Sequence, residues 1–326
     1  VTYEWEGNRY QLDDFATHTD TTGLLIVKDG RILHEAYFLG ATEDSLLTSW
    51  SMAKSVTSTL VGIAIADGLI EGVDDLVTEY LPELEGTGYE GVSIKDVLQM
   101  STGVAFTEDY EDGASDFARL WHTAVDHKER ANHVAASFTR SKEAGTEFSY
   151  SSNDTQILGW LLTRVTGKPL SLYLSEKIWT PLGMEKDAYW VLDRKGEDGM
   201  EMAWCCLNST LRDYARFGML MANSGRWEQR QVVPAEWIRE ATIPDRPQVE
   251  YGTLYPDFPP GYQYQWWAVP GPDRAFLALG VYGQFLLVNP AVGLVIVKTS
   301  AWPTSWDDPK GNETLALFEA LTEALR

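Results

Sequence analysis

The sequence is poor in the residues that bind metals or form disulfides. Its five histidines, at positions 18, 34, 122, 127 and 133, form no HExxH motif, and none pairs with a cysteine at the spacing of zinc ligands. Only two cysteines occur, and they are the neighbours Cys205 and Cys206. Because adjacent cysteines have unfavourable geometry for a disulfide, we expect two free thiols. The sequence therefore predicts no metal site and no disulfide framework.

Positive charge is also scarce. The 326 residues include 26 Lys and Arg against 48 Asp and Glu, which gives a net charge of −22. Nucleic acids and anionic membranes bind basic faces, so neither is expected as a partner. No apolar run reaches the roughly 20 residues that span a bilayer, and the N-terminus lacks the features of a signal peptide. These features favour the cytoplasm. A start at Val1 and not at methionine leaves open a periplasmic or secreted protein whose leader was removed.

One glycine-rich segment has the spacing of a dinucleotide-binding loop. Gly86, Gly88 and Gly91 match GxGxxG. That motif holds a pyrophosphate only within a βαβ unit, with a strand directly before it. The preceding residues 81–85, LPELE, do not resemble a strand. We interpret the segment as a loop and expect no cofactor.

Strand-like segments occur near both ends of the chain, with helices between them. Residues 23–27 and 32–38 flank an Asp-Gly turn and predict a β-hairpin. Residues 69–191 have the pattern of helices and polar loops, and an amphipathic helix is predicted over 313–325. The late strand-like segments are Tyr264–Val269, Ala275–Leu279, Phe285–Val288 and Leu294–Lys298.

This distribution predicts an α+β fold. One antiparallel sheet would be built from both chain ends and flanked by helices, with an inserted, mostly helical lobe. We place the sheet domain at residues 1–68 and 200–326, and the helical lobe with its active-site loops at 69–199. A cleft at such a junction is a usual place for a small-molecule site.

Ser51 and Lys54 open a long apolar run, SMAKSVTSTLVGIAIADG, which predicts a buried helix ending at Gly68. Residues three apart share a helical face, so the serine hydroxyl and the lysine amine can form a hydrogen bond. Burial and the positive end of the helix dipole both disfavour a lysine cation. A neutral lysine beside a serine is what an amine-activated nucleophile requires. We therefore hypothesise a serine hydrolase with Lys54 as base.

Tyr150 precedes a segment, SSNDTQ, that has two interpretations. Ser, Asn and Asp are favourable helix caps, so the segment can simply start the apolar helix predicted at 157–165. Alternatively, a tyrosine beside a lysine can act as a proton shuttle, because an ammonium lowers the pKa of a phenol. Composition alone favours the cap.

Lys298, Thr299 and Ser300 resemble the Lys-Thr-Gly triplet of penicillin-recognising enzymes. They end the last predicted strand, directly before the terminal helix, whereas the functional triplet belongs one or two strands earlier. We expect no catalytic role for them.

Taken in chain order, several segments are similar to those of the serine β-lactamase and penicillin-binding superfamily. They are Leu24–Phe38, Trp50–Ser55, Ile94–Gly103, Phe106–Tyr110, Tyr150–Gln156, Thr210–Gly218, Tyr264–Trp267 and Gly280–Gln284. Ser-x-x-Lys alone is common, but these segments in this order are specific. The chain most resembles the class C-like branch of amidases and esterases, in particular the 6-aminohexanoate-dimer hydrolases and related carboxylesterases.

The resemblance implies a catalytic set. Ser51 would be the nucleophile, Lys54 its base and Tyr150 the third catalytic residue. The backbone N–H groups of Ser51 and Val281 would form the oxyanion hole. Five further matching residues are expected to support the site or contact substrate: Ser152, Tyr110, Trp266, Tyr282 and Gln284. In the family, the tyrosine matched by Tyr110 lies on a mobile loop and contacts the substrate amide.

The sequence departs from β-lactamases at two places. No Lys-Thr-Gly stands at Gly280–Gln284, and the Tyr-x-Asn of class C enzymes is replaced by Tyr150-Ser151-Ser152. Both differences favour an amidase or esterase that acts on a small molecule through an acyl-enzyme. A β-lactamase or D-alanyl-D-alanine peptidase of the same fold is the alternative enzyme. The alternative from another functional class is a ligand-binding module without catalytic activity. The sequence does not decide the oligomeric state, and a homodimer is left open.

Overall fold

The computed structural model describes residues 2–326. The strands in this range are β1 Thr2–Trp5, β2 Asn8–Gln11, β3 Thr21–Lys28, β4 Arg31–Tyr37, β5 Leu47–Thr48, β6 Tyr189–Trp190, β7 Leu207–Ser209, β8 Arg226–Trp227, β9 Arg230–Gln231, β10 Gly261–Gln263, β11 Trp266–Ala268, β12 Phe276–Gly280, β13 Gln284–Asn289 and β14 Leu294–Ser300.

The α-helices in this range are α1 Leu12–His18, α2 Met52–Ala66, α3 Val77–Tyr80, α4 Ile94–Leu98, α5 Asp116–Asp126, α6 Ala131–Ala136, α7 Ser152–Thr166, α8 Leu170–Leu174, α9 Thr180–Leu182, α10 Leu211–Ala222, α11 Ala235–Ala241 and α12 Asp308–Ala324. Most of them, α2 to α9, follow one another between β5 and β6. No helix within residues 2–326 combines the length and apolarity needed to cross a bilayer.

Seven strands form the main sheet in the order β10-β11-β12-β13-β14-β3-β4, with every pair antiparallel. The N-terminal hairpin joins the C-terminal strands where β3 pairs with β14, in a register that sets Ile26 opposite Ile296. The sheet is thus built from both chain ends, and the predicted α+β fold is confirmed.

Both faces of the central strands of this sheet are buried, which explains their nearly continuous apolar sequences, whereas the edge strand β4 is exposed or half-buried. Leu25 and Val27 pack in one core with α2, α7 and α10. Leu24 and Ile26 point to the other face, where a second core includes Phe15 of α1 and Phe318 of α12. Because side chains alternate along a strand, one apolar run serves both cores.

The single strand predicted over Tyr264–Val269 is wrong. Tyr264 and Gln265 have φ of +36° and +67°, so the chain reverses there and β10 and β11 form a hairpin. The pairing of β1 with β2 at the N-terminus was also not anticipated. Both strands are short, and short strands give little periodicity to detect.

The expectation of two free thiols is also wrong, because Cys205 and Cys206 form a disulfide. Their Cα atoms are 3.7 Å apart, and Cys206 has φ of +66°, a sharp backbone turn that lets the neighbouring side chains meet.

Residues 69–199 contain helices α3 to α9 and the short strand β6. Strand β6 pairs with β7, which pairs in turn with β5, so a small three-stranded sheet links this region to the segment before α2. The division into a sheet domain and a helical lobe at residues 68 and 199 is kept as a proposal.

Candidate active site

Ser51 lies directly before the buried helix α2. Ser49 N–H donates to Leu207 O at 2.8 Å, which ties the segment before the helix to β7. Trp50 has φ of +42°, in the left-handed region that a non-glycine residue adopts at a cost of about 1–3 kcal/mol. Backbone of this kind is concentrated at active sites, where the surrounding structure holds it. The sharp turn at Trp50 delivers Ser51 to the start of α2.

Lys54 lies one turn into α2 and is 1% exposed. Its Nζ atom donates to Ser51 Oγ at 2.9 Å, to Ser152 Oγ at 3.1 Å and to Trp204 O at 3.2 Å. Burial lowers the pKa of Lys54 to about 8, and the nearby Glu108 charge opposes this fall only in part. The hydrogen bond expected between Ser51 and Lys54 is therefore present, with an amine that loses its proton near pH 8.

Tyr150 reaches the same place from the start of α7. Lys54 Nζ lies 4.8 Å from the centre of its ring, and Trp267 stacks on the ring at 5.8 Å. Burial and then the charge of Glu108 raise the pKa of Tyr150 well above 10, while contact with the Ser51 hydroxyl opposes the rise. The expectation of a lowered phenol pKa is wrong, because desolvation in the buried site raises it. Tyr150 is a protonated phenol at neutral pH and can donate a proton.

The segment after Tyr150 is also a helix cap. Ser151 Oγ accepts a hydrogen bond from Asp154 N at 3.3 Å, and its backbone is extended, as at a typical N-cap. The cap interpretation therefore holds for Ser151, and the proton-shuttle interpretation of Tyr150 stays a prediction. Ser151 caps α7, whereas Tyr150 lies outside the helix beside Lys54.

Glu108 is a part of the site that the sequence interpretation missed. Its Oε2 accepts from Ser152 N at 2.7 Å and its Oε1 accepts from Ser152 Oγ at 2.5 Å. A carboxylate is favourable there, because the first N–H groups and the dipole of α7 point toward it. The sequence places Glu108 among several acids of one loop, and spacing alone does not distinguish the one that faces the helix.

Tyr110 lies on the same loop, but its hydroxyl is engaged within the protein. It donates to Glu108 Oε1 at 2.8 Å, and its ring packs edge-on against Phe117 at 4.5 Å. The structure therefore brings Tyr110 to the site through Glu108. Its contact with a substrate amide stays a prediction.

The end of β12 lies against the residues before Ser51. A Cβ atom on Gly280 would lie 2.4 Å from Ser49 O, so only glycine allows this approach. Beyond it, Tyr282 has φ of +61°, and its ring centre lies 4.9 Å from that of Trp50. The 281–283 turn is thus held beside the nucleophile, with the Tyr282 side chain at the edge of the site.

Gln284 supports this turn from inside the protein. Its Nε2 atom donates to Tyr282 O at 2.8 Å and to Ser300 O at 3.0 Å. The Gln284 residue as a whole is 2% exposed. Its Oε1 atom accepts from Ser300 N at 3.2 Å. Gln284 is accordingly a supporting residue, and these contacts leave it no surface for substrate.

Trp266 was expected to support the site or contact substrate, and contact with substrate is excluded. It is 0% exposed and packs between Phe217 and Phe276, in the core that the sheet forms with α2, α7 and α10. Its neighbour Trp267 is the tryptophan that stacks on Tyr150. Successive side chains of a strand point to opposite faces, so an error of one position exchanges core and site.

Three tryptophan side chains pack against one another beside Ser51, an arrangement that the sequence did not predict. Trp50 contacts Trp121 of α5, with ring centres 5.6 Å apart. Trp121 in turn contacts Trp204, whose carbonyl accepts from Lys54. Trp50 and Trp121 are partly exposed, so they offer apolar surface next to the nucleophile. These residues are far apart in sequence, and only the fold brings them together.

No cluster of three His, Cys, Asp or Glu side chains arranged to hold a metal occurs in residues 2–326. The charged side chains assembled around Ser51 are Lys54 and Glu108. The chemistry that this arrangement allows is proton transfer between a hydroxyl, an amine and a phenol.

Comparison with known proteins gives the family. A sequence model described as Beta-lactamase matches residues 12–320, nearly the whole chain. The chain belongs to the β-lactamase family. The resemblance to this superfamily is thereby confirmed, and with it the assignment to a family of serine hydrolases.

Two known proteins are similar to this chain over most of their length. The 6-aminohexanoate-dimer hydrolase of Paenarthrobacter ureafaciens is 31% identical over 299 residues, which are 90% of this chain and 75% of the relative. The solved structure named "Putative 6-aminohexanoate-dimer hydrolase from Bacillus anthracis" has a TM-score of 0.88 and 25% identity, covering 100% of this chain and 85% of that one.

A more distant structure shares the fold alone. A family VIII carboxylesterase has a TM-score of 0.71 at 19% identity, covering 94% of this chain and 96% of the esterase.

Proposed function

We propose that this chain of the β-lactamase family cleaves amide or ester bonds of small molecules through an acyl-enzyme on Ser51. The observation that carries the proposal is the 2.9 Å contact between Lys54 Nζ and Ser51 Oγ in a buried site that lowers the lysine pKa to about 8. A base whose pKa lies near the working pH is well matched to general-base catalysis. The similarity to a 6-aminohexanoate-dimer hydrolase supports this substrate class.

In the first step, Ser51 Oγ attacks the carbonyl carbon of the substrate, and its proton moves to the lone pair of neutral Lys54. The new Oγ–C bond converts the carbonyl oxygen into an oxyanion. The direct transfer to Lys54 is favoured over a phenolate base, because burial keeps Tyr150 protonated.

The oxyanion is held by the backbone N–H groups of Ser51 and Val281. Tyr282 N–H is already engaged, since it donates to Ser305 O at 2.8 Å. Within residues 2–326, the N–H groups of Ser51 and Val281 donate to no other protein group, which leaves them free for a ligand. Loss of one such donor typically costs about 3–4 kcal/mol of transition-state stabilisation.

Tyr150 donates its proton to the departing nitrogen or oxygen as the C–N or C–O bond breaks, and it recovers a proton from the Lys54 ammonium. Water then attacks the acyl-enzyme. Its proton returns by the reverse route, and Ser51 leaves as the free hydroxyl.

The residues at the end of β12 favour an amidase or esterase over a β-lactamase or D-alanyl-D-alanine peptidase. They carry no cation to hold a β-lactam carboxylate. Lys298, the lysine of the triplet-like segment, has its amine against Phe15, Phe285 and Trp302, in the second core. Its burial there supports the prediction that it has no catalytic role.

The test is hydrolysis of p-nitrophenyl butyrate by Ser51→Ala and by a matched variant, Ser58→Ala. Ser58 is a buried serine on the same helix, and its hydroxyl has no protein partner. We expect Ser51→Ala to lose turnover and Ser58→Ala to keep it, both with wild-type thermal melts. Turnover retained by Ser51→Ala would contradict the assignment of the nucleophile.

A substrate panel separates the alternatives. We expect hydrolysis of p-nitrophenyl butyrate and of the 6-aminohexanoate dimer to exceed that of nitrocefin and of D-alanyl-D-alanine peptides. Preference for nitrocefin would indicate a β-lactamase. Absence of turnover together with no labelling by a fluorophosphonate probe would indicate a ligand-binding module.

A further inference from the structure

Lys54 has three polar neighbours, and its function depends on which of them receives its lone pair. A neutral amine has two N–H donors and one acceptor position, whereas an ammonium has three donors and no acceptor. To take the proton of Ser51, the lone pair must face Ser51 Oγ. The two N–H groups must then point to Trp204 O and Ser152 Oγ, at 3.2 and 3.1 Å.

Trp204 O is a carbonyl and only accepts, but Ser152 has a hydroxyl that can either accept or donate. If Ser152 donated its proton to Lys54, the lone pair would be occupied and a Lys54 N–H would point to Ser51. Such a lysine could not act as the base. The direction of the Ser152 O–H bond therefore decides whether neutral Lys54 is productive.

Glu108 fixes this direction. Its carboxylate oxygens only accept, and one of them lies 2.5 Å from Ser152 Oγ. The same carboxylate is held in place by Ser152 N–H at 2.7 Å and by the Tyr110 hydroxyl at 2.8 Å. The proton of Ser152 is thus committed to Glu108, and Ser152 presents only lone pairs to Lys54.

We infer that Glu108 is a positioning residue that acts through Ser152 to turn the lone pair of neutral Lys54 toward Ser51. The inference rests on the proposed function, because it takes Lys54 as the base of Ser51. It gives Glu108 a role in catalysis although the carboxylate contacts neither the nucleophile nor the base.

Glu108→Gln is the sharpest test, because the fixed backbone N–H of Ser152 decides how a glutamine side chain sits. The amide oxygen must accept from that N–H, so the amide NH₂ takes the place of Oε1. It then donates to Ser152 Oγ and to the Tyr110 hydroxyl oxygen, whose own proton turns away. The hydroxyl proton of Ser152 is then released toward Lys54, which reverses the hydrogen bond while the shape of the site is kept. We expect kcat to fall roughly 10- to 100-fold, a part of the full effect of a general base.

Glu108 also acts on Lys54 through space, and this effect has the opposite sign. The carboxylate raises the lysine pKa, so its neutralisation lowers that pKa. We expect the acidic limb of kcat/KM in Glu108→Gln to move to lower pH by about one unit. The other titratable group in contact with Lys54 is Tyr150. Tyr110 contacts Glu108 itself, and Asp154 lies in the first turn of helix α7, which packs against α2.

Ser152→Ala separates the two effects. We expect this variant alone to lose about 10-fold in kcat, because the oriented acceptor is gone. On the Ser152→Ala background, Glu108→Gln should no longer reduce kcat, but it should still move the acidic limb. Glu111→Gln is the matched control, since it neutralises another acid of the same loop. We expect it to change kcat by less than about twofold and to move the acidic limb of kcat/KM by less than about 0.2 pH unit.

The measurement is kcat and kcat/KM of p-nitrophenyl butyrate against pH for these variants. A wild-type kcat in Glu108→Gln, or an equal loss of kcat with and without the Ser152 hydroxyl, would overturn the inference. If Glu108→Gln does not fold, the Ser152→Ala variant is sufficient as a test, because full activity in that variant would by itself overturn the inference. Absence of turnover in the wild-type protein would instead be a failure of the proposed function.

Discussion

Gln284 Nε2 donates to the carbonyl oxygen of Tyr282 at 2.8 Å, from inside the turn that follows β12. The same amide group also bonds Ser300 on the neighbouring strand β14. The turn that presents the Val281 N–H is therefore fastened to the sheet by one buried side chain.

We predict that Gln284→Leu lowers kcat by about 10-fold with little change in KM, because the Val281 N–H moves relative to the oxyanion and not to the bound substrate. Buried carbonyls left without donors should also reduce the free energy of unfolding by about 1–3 kcal/mol. Steady-state kinetics and urea unfolding measure both effects. An unchanged kcat beside a lowered stability would show that this turn does not hold the oxyanion donor.

The activity should rise with pH. Lys54 acts as the base only when neutral, and its pKa is lowered to about 8, so kcat/KM should increase through an apparent pKa near that value. The buried carboxyl of Asp154 has its pKa raised to about 8 and titrates in the same range. Asp154→Asn is therefore the control, and the increase of kcat/KM with pH should persist in this variant. A limb that disappears in Asp154→Asn would assign the titration to that carboxyl.

Lys298→Met should stabilise the protein and leave hydrolysis intact. Lys298 is fully buried, and burial lowers its pKa well below 10.5. Because the unfolded chain then binds a proton that the folded chain does not, Lys298 destabilises the fold increasingly as pH falls below about 10.5. An apolar residue of similar length removes this cost, and the melting temperature at pH 7 should rise by about 1–3 °C.

Lys28→Met, on the neighbouring strand, is the control for this change, because Lys28 pairs with Asp29 at the surface and should shift the melt little. A large loss of hydrolysis in Lys298→Met would contradict the assignment of Lys298 to the second core and would indicate that this lysine belongs to the active site.

Trp266 and Trp267 should respond differently to replacement by leucine. Trp266→Leu leaves a cavity in the main core and should cost about 2–4 kcal/mol of stability while KM stays near wild type. Trp267→Leu removes the ring that stacks on Tyr150 and should lower kcat more than stability. Thermal melts and kinetics of the two variants compare them directly. The reverse pattern would show that Trp266, and not Trp267, belongs to the site.

The sequence predicted the sheet and the helix that carries Ser51 because these elements have long, regular apolar patterns. It also supplied Ser51, Lys54 and Tyr150, which lie within recognisable segments. It could not supply Glu108 or Trp121, because their contacts with the site depend on how the helical region folds over α2. The single strand predicted over Tyr264–Val269 was wrong because the hairpin turn at Tyr264 and Gln265 lacks the glycine or proline that would mark a turn. The direction of the Tyr150 pKa was wrong because spacing predicts a neighbouring lysine but not the extent of burial.

The most direct test of the central claim is to trap the acyl-enzyme. The protein is mixed with p-nitrophenyl butyrate, quenched in acid within the first turnovers and analysed by intact mass and peptide mapping. The account predicts a single added butyryl group on the peptide containing Ser51, which is absent in Ser51→Ala and slow to form in Lys54→Ala. A butyryl group on another residue, or turnover with no covalent adduct at any time, would contradict it.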